Sequence, residues 1–515
     1  MMSRRTIDIA MNRVEGDLEV RVDVDDGVVV DAWSAGTLYR GFETLLVGRG
    51  ALDGLVLTPR ICGLCSVSHL FAAARALDGL AGVGVAPHGA RLRNVTLMAE
   101  HLQNDLRQSL LMFAVDFTSP AYAAQPLYEE AVRRYQPFAG SAVREVLRTT
   151  KRMLEIVALL GGQWPHSSFM VPGGVVTVPS SGDLQRCRHL LAAFRVYYEQ
   201  QILGCSLERW QRVTSAAELD AWLDESPAHQ ASELGFFLRF ARAVGLDRIG
   251  GGYGRMLCAG GLAIPEGSRV RGPRGAAFLA PPGVATGTEV APFDEAEVKE
   301  HVACSWYLDD AEPGGRHPFE GRTQPYASGA EGRKYSWSKA PRYAGKPAET
   351  GVLAELVVGG DPLFTDLVRQ GGAHALVRQM ARLVRPATLL EPMDRWLSEM
   401  ATEPGPYCSP DVRVAAGRSA GVIQASRGML GHWLEVEDDR LLHYQIITPT
   451  AWNGSPRDDF GARGPWEEAL VGTPVPDLDN PVALGHVVRS FDPCLVCTVH
   501  AFGKSGRRGT LRLGG

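Results

Sequence analysis

Two cysteine pairs at opposite ends of the chain constrain its fold more than any other feature: Cys62 and Cys65 in RICGLC, and Cys494 and Cys497 in DPCLVC. Each pair is followed by a histidine, His69 and His500. A CxxC turn aims two sulfurs at one point, so two such turns can supply four thiolates to one metal site. Structural zinc modules also use four thiolates, but their halves lie about 15–20 residues apart. Here roughly 430 residues intervene, so a shared site requires the whole fold to close first. That layout suits a buried catalytic centre rather than a local staple.

The other cysteines, Cys187, Cys205, Cys258, Cys304 and Cys408, are scattered singly and read as small buried hydrophobes. They form neither a disulfide framework nor an iron–sulfur ligand set, so electrons from any redox chemistry must leave through a partner. The 515 residues are 45% hydrophobic and 22% charged, a composition able to bury a large core. A formal charge of −5 gives no hint of binding to nucleic acid or an anionic membrane. Met1–Thr6 lacks a following apolar stretch and no run of about 18 apolar residues occurs, so neither a secretory signal nor a membrane span is expected.

Residues 17–33 alternate apolar and polar around Asp26-Gly27, a hairpin signal. After Cys65 the pattern turns helical, with Ser66 as the expected cap and His69, Leu70, Ala74 and Leu77 following. Long helical patterns cover 91–117, ending before Ser119-Pro120, and about 141–161, 183–203 and 375–400. The stretches 250–290 and 310–350, rich in Gly, Pro and Arg, read as irregular loops. The last fifteen residues carry Lys504, Arg507, Arg508 and Arg512, five glycines and no acid, and read as a flexible tail.

Seven segments together resemble the large subunit of nickel–iron hydrogenases along essentially the whole chain. They are RVEGD (13–17), YRGFE (39–43), RICGLCSVSH (60–69), WPHSSFMVPGG (164–174), YSWSKAPRY (335–343), YQIITPTAWN (444–453) and SFDPCLVCTVH (490–500). The resemblance implies an α+β, predominantly helical fold. A central bundle of long helices would carry small peripheral β-sheets, and both CxxC motifs would converge at a buried metal site. It implies one catalytic domain over 1–500. Residues 501–515 would be an extension that a maturation protease removes after His500.

The resemblance also implies a nickel–iron centre whose iron carries carbon monoxide and cyanide. Cys62 and Cys494 would be terminal nickel ligands, and Cys65 and Cys497 would bridge the metals. Thiolates are soft donors suited to both. His69, one helical turn after Cys65, would donate to the sulfur of Cys497. Two arginines compete for the open side of the metals, Arg342 in KAPRY and Arg427 in ASRGML; order and spacing favour Arg427. Ser426 stands where the family usually has proline. Asp492 matches one active-site acid, whereas the other aligns with Asn104, beside Asp105. Thr450 matches the hydroxyl that donates to a cyanide, and Glu15 the carboxylate that passes protons from Cys494 to the surface. Glu43, the backbone carbonyl of Ile446 and the His500 side chain match a magnesium site.

The expected activity is heterolytic cleavage of dihydrogen, its electrons leaving to an iron–sulfur small subunit in a heterodimer or an oligomer of heterodimers. Metallocentre assembly factors are the other implied partners. The expected location is cytoplasmic, with any membrane association supplied by partners. A dihydrogen-sensing relative is the alternative of a different class. The metal-free quinone-pocket subunit of respiratory complex I and a structural zinc protein are more distant ones.

Overall fold

Where the two cysteine motifs meet is decided by one helix that begins at the first motif, one three-stranded sheet that the helix lies on, and one helix that leads into the second motif. The computed structural model describes residues 4–329, 332–494 and 511–512. Strands β1 (Arg5–Ala10), β2 (Leu18–Asp25) and β3 (Val28–Gly36) form an antiparallel meander. Its second turn is Asp26-Gly27, both at positive φ, as a tight hairpin demands. Leu18, Val20 and Val22 face the core while Glu19 and Arg21 face out, the period-2 pattern read from sequence. Of the last fifteen residues only Leu511–Arg512 are described, paired in parallel with Ile9–Ala10.

The remaining elements that position the site are α1 (Ser66–Ala81), α2 (Pro87–Arg107), α3 (Ser141–Gly161), α4 (Ser181–Tyr197) and α5 (Ala375–Thr402). They are followed by strands β4 (Gly417–Ala425), β5 (Gly428–Glu437) and β6 (Arg440–Ile447), then α6 (Pro449–Asn453) and α7 (Val482–Ser490). Helix α2 continues through a π turn (Gln108–Phe113) and a 3-10 turn (Ala114–Thr118), and Ser119-Pro120 ends it as expected. It packs on α3 and α5, and α4 packs on the same two helices. Leu92, Val95, Leu102 and Leu106 of α2 and Met153, Ile156 and Leu160 of α3 are fully buried there, the apolar stripes that the 3.6-residue period predicts. No helix among the described residues is long and apolar enough to cross a membrane.

Helices and sheets both build the molecule, but the sheets are not peripheral to the site. The antiparallel β4–β5–β6 sheet lies directly against α1, the helix that follows the first cysteine motif. The approach is close because both faces are small. A Cβ added at Gly421 would sit 2.0 Å from the Ala72 carbonyl oxygen, and one added at Gly79 would sit 2.2 Å from Ser419 Oγ. Residues 250–290, expected to be irregular, contain four short strands, Arg255–Cys258, Gly261–Ala263, Phe278–Ala280 and Gly283–Thr286. None exceeds four residues, too short for a period-2 signal.

Because backbone rather than a flexible side chain faces Gly421, Gly421→Ala is expected to lower unfolding stability by about 1–3 kcal/mol, the range for overpacking a tight interface. Chemical denaturation of the purified chain measures it.

Candidate metal centre

The first cysteine turn is held from outside its own segment. Arg40 donates from its guanidinium to the Ile61 carbonyl. Helix α1 starts immediately after Cys65, and its first N–H groups need acceptors. Ser66 does not supply them: Cys65 is the cap residue and makes no side-chain capping bond. Glu100 of α2 does so instead. Its carboxylate accepts from Val67 N–H (2.8 Å), Ser68 N–H (3.2 Å) and the Ser68 hydroxyl. Burial pushes Glu100 up to about 7 against these donors.

The second motif is anchored to the opposite end of the chain. Arg489, in the last turn of α7, donates to the backbone carbonyl of Asn12 (2.8 Å) and its side-chain oxygen (2.6 Å), and pairs with Asp116. Arg13 pairs with the other oxygen of the same Asp116. Glu15 then runs beside Cys494 in an isolated parallel bridge. Asp492 adopts a left-handed conformation (φ 57°) that turns the chain between α7 and Cys494.

Three of the four predicted sulfur ligands thereby converge. Cys62 and Cys494 Sγ are 3.7 Å apart, and the sulfurs of Cys62, Cys65 and Cys494 all lie within 4.8 Å of one another in the interior. Cys497 and His500 lie outside the described residues. A small cavity of about 10 Å³ adjoins the sulfurs, lined among others by Cys65, His69, Arg427, Thr450 and Cys494. Three converging thiols with no disulfide among them are a donor set for soft transition metals.

Of the two competing arginines, Arg427 is the one at the site. It sits at the tip of the two-residue β4–β5 hairpin, a position normally exposed but here only 6% accessible. Its Nε donates to Asp492 Oδ1 (2.9 Å), while Nη1 is buried without a hydrogen-bond partner among the described residues. Burial works against its charge, but Asp492 and the thiols of Cys494, Cys65 and Cys62 outweigh burial and hold the guanidinium well above its ordinary pKa. Arg342 is instead tied into a different buried network, with Asp458 (2.7 Å) and Ser455 (3.0 Å). Asn104 donates to the second oxygen of Asp492 (2.8 Å), so the amide supports the one acid present. Ser426 is buried, and its carbonyl accepts from Arg385, which also holds Asp105 through two bonds of 2.8 Å.

Thr450 Oγ1 accepts from the Cys494 N–H (3.0 Å), fixing the thiol's backbone. Burial raises the Glu15 carboxyl, and Cys62 and Asp492 add to the shift while Arg427 opposes it. The His69 ring has Nδ1 3.2 Å from Nε2 of His432, on β5. Burial brings His69 down to about 4, so it is neutral.

Glu43 and Ile446 lie together, but the contact between them runs through the Ile446 N–H, which donates to Glu43 Oε1 (2.9 Å), and not through its carbonyl. The ammonium of Lys339, from YSWSKAPRY, lies 3.1 Å from Glu43 and 3.7 Å from a second buried acid, Glu300. Burial, with Glu43 adding, pushes Glu300 upward. Two carboxylates here converge on one ammonium.

Sequence reasoning missed Glu100, Glu300, His432, Tyr444 and the buried arginines of α5. Each reaches the site from an element distant in sequence, and only helical spacing at Arg378, Arg382 and Arg385 marked a shared face.

A family model for nickel-dependent hydrogenases matches residues 40–134 and 238–500. The periplasmic [NiFeSe] hydrogenase large subunit of Desulfomicrobium baculatum is 31% identical over 526 aligned positions, covering 95% of this chain and 93% of that protein. The uptake hydrogenase large subunit of Rhodobacter capsulatus is 27% identical, covering 98% and 96%. The solved structure of the reduced Ni-Fe-Se hydrogenase from D. vulgaris Hildenborough superposes with a TM-score of 0.80 at 31% identity, over 97% of this chain and 100% of that one. A buried multi-thiolate metal centre built from both chain ends, in this fold, defines a metalloenzyme of redox type. The chain belongs to the nickel-dependent hydrogenase family, as a large subunit built for a nickel–iron centre.

Glu100→Ala removes the acceptor for two buried N–H groups, so a stability loss of about 1–3 kcal/mol per orphaned donor is expected. Glu100→Gln keeps an acceptor oxygen and should lose clearly less. Thermal unfolding of the two variants side by side provides the comparison.

Proposed function

We propose that this chain is the catalytic large subunit of a nickel–iron hydrogenase that oxidises dihydrogen and passes its electrons to an iron–sulfur small subunit. The observation that carries the reading is the convergence of the Cys62, Cys65 and Cys494 thiols beneath the Arg427–Asp492 pair. When bound, the nickel–iron centre supplies the electron-pair acceptor that polarises and splits dihydrogen. The chain's own residues do the rest. The thiolate of Cys494 or the guanidinium of Arg427 handles the released proton in a buried, water-poor setting, where its charge is most effective. Glu15, beside Cys494, carries the proton outward; its raised carboxyl stays protonated to higher pH than an exposed glutamate and can trade protons nearer neutrality.

Carbon monoxide and cyanide on iron belong to the same proposal. It is supported by the free donor capacity of Arg427 Nη1, and the Thr450 hydroxyl, which accepts from Cys494, keeps its own hydrogen for a ligand in the cavity. Magnesium is proposed beside Glu43, with the Ile446 carbonyl and His500 as the remaining protein ligands. The carboxylate oxygens of Glu43 and Glu300 around Lys339 are the donor type a hard dication prefers. Residues 501–515 are proposed to be removed after His500 once the metals are in place, which intact-mass measurement of the mature protein tests. A cytoplasmic location, tested by fractionation, completes the reading.

The decisive measurement is infrared spectroscopy of purified, processed protein, together with dihydrogen-dependent dye reduction. Carbonyl and cyanide bands with rapid turnover are expected. Bands with very slow turnover would favour the sensing alternative, and absence of bands would refute both. Cys494→Ala should abolish nickel retention. Glu15→Gln should keep the metals and the bands but lose most hydrogen–deuterium exchange, about 10²-fold or more for a general acid–base group; exchange at the wild-type rate would remove Glu15 from the path.

A further inference from the structure

A buried hydrogen-bonded chain runs away from the metal cavity, from His69 through His432 to Tyr444, and the proposed reaction uses neither of the last two. His69 lines the cavity with Cys65 and Cys494. Its Nδ1 faces Nε2 of His432 at 3.2 Å, and Nδ1 of His432 lies 2.9 Å from the Tyr444 hydroxyl. All three side chains are buried, at most 2% exposed. His432 comes from β5 and Tyr444 from β6, adjacent strands of the sheet on which α1 rests.

Resting on the reading above, we propose that Tyr444 and His432 are positioning residues that fix the tautomer of His69, so that its proton sits on Nε2 and is donated toward the metal-binding thiolates. Two neutral imidazoles and a phenol can be ordered in only two ways. In one, Tyr444 O–H donates to His432 Nδ1, His432 Nε2–H donates to His69 Nδ1, and His69 carries its hydrogen on Nε2, the nitrogen left for the cavity. In the other, every arrow reverses, His69 presents a bare lone pair to the sulfurs, and the tyrosine hydrogen must find another acceptor. Among the described residues the Tyr444 hydroxyl makes no hydrogen bond but the one to His432. The second order therefore leaves a buried hydroxyl hydrogen unmatched, which folded proteins avoid. Two ring nitrogens 3.2 Å apart share a single hydrogen, so the choice between the two orders is a real one.

A hydrogen bond to a thiolate withdraws electron density from sulfur, and so from a metal bound to it. Without that donor the sulfur gives more density, and back-donation into carbon monoxide rises. In Tyr444→Phe the two orders lose their main energetic distinction. The carbonyl and cyanide bands of the purified enzyme are then expected to move, or to split with a new set at lower wavenumber, at unchanged nickel content. His432→Leu should do the same, because it leaves His69 Nδ1 without a donor. Adding His432→Gln to Tyr444→Phe restores an N–H facing His69 Nδ1 and should return the bands to the wild-type position. If Tyr444→Phe fails to take up nickel, His432→Leu and His432→Gln give the same comparison. Bands at the wild-type position in every loaded variant that lacks the donor would overturn the inference. Absence of bands from the wild type itself would instead overturn the proposed function, so the two failures are distinct.

Discussion

A guanidinium taken out of water survives only if paired, and removing one partner of a buried pair typically costs about 3–5 kcal/mol. The Arg427–Asp492 contact therefore does more than decorate a cavity. Arg427 stands on a hairpin tip and Asp492 on the turn before Cys494, so their bond locks the sheet that supports α1 to the segment that delivers the second cysteine motif. Asn104 of α2 holds the remaining oxygen of Asp492, and α2 also carries Glu100, which orders the first turn after Cys65. One helix thus braces both halves of the thiolate set, and the charged group that overlooks the sulfurs is the same one that fastens the halves together.

Behind this pair lies a second tier of buried arginines. Arg378 of α5 pairs with Glu349, and Arg385 with Asp105 and Glu355. Arg382 lies 3.7 Å from Asp492 and donates to the Ser490 carbonyl. Such a lattice is an expensive way to stabilise a fold, since well-packed apolar groups often do as well. What it provides is specificity of placement around a cavity whose occupants carry charge. The α5 arginines share a helical face that would ordinarily read as solvent-exposed. Only the acids arriving from α2 and from residues 349–355 make that face an interior one.

Elements with their own local period were legible in the sequence. Helices α2, α3 and α5 and the β2–β3 hairpin fall where spacing places them, because one buried stripe or one alternating face is enough to specify each. The site was legible to the extent that the residues it brings together sit in contiguous motifs: Cys62 and Cys65, Cys494, Glu15, Asp492 and Thr450. The groups supporting these motifs were not. Glu100 satisfies the start of a helix more than thirty residues away, where the local candidate, Ser66, does not, and the sheet bearing His432 and Tyr444 looks in sequence like any half-buried meander. Single residues that act across long chain separations leave no periodic trace. The short strands within 250–290 were lost for a related reason, since they are defined by their neighbours and not by their own pattern.

The clamp between Arg489 and Asn12 has a consequence for biosynthesis. A ribosome delivers residue 489 a full 477 residues after residue 12, so the segment that carries Glu15 must wait through that length of chain before its partner emerges. Contacts this distant along the chain are slow to form. A pocket that depends on this clamp is therefore incomplete until residue 489 has emerged and folded back on residue 12.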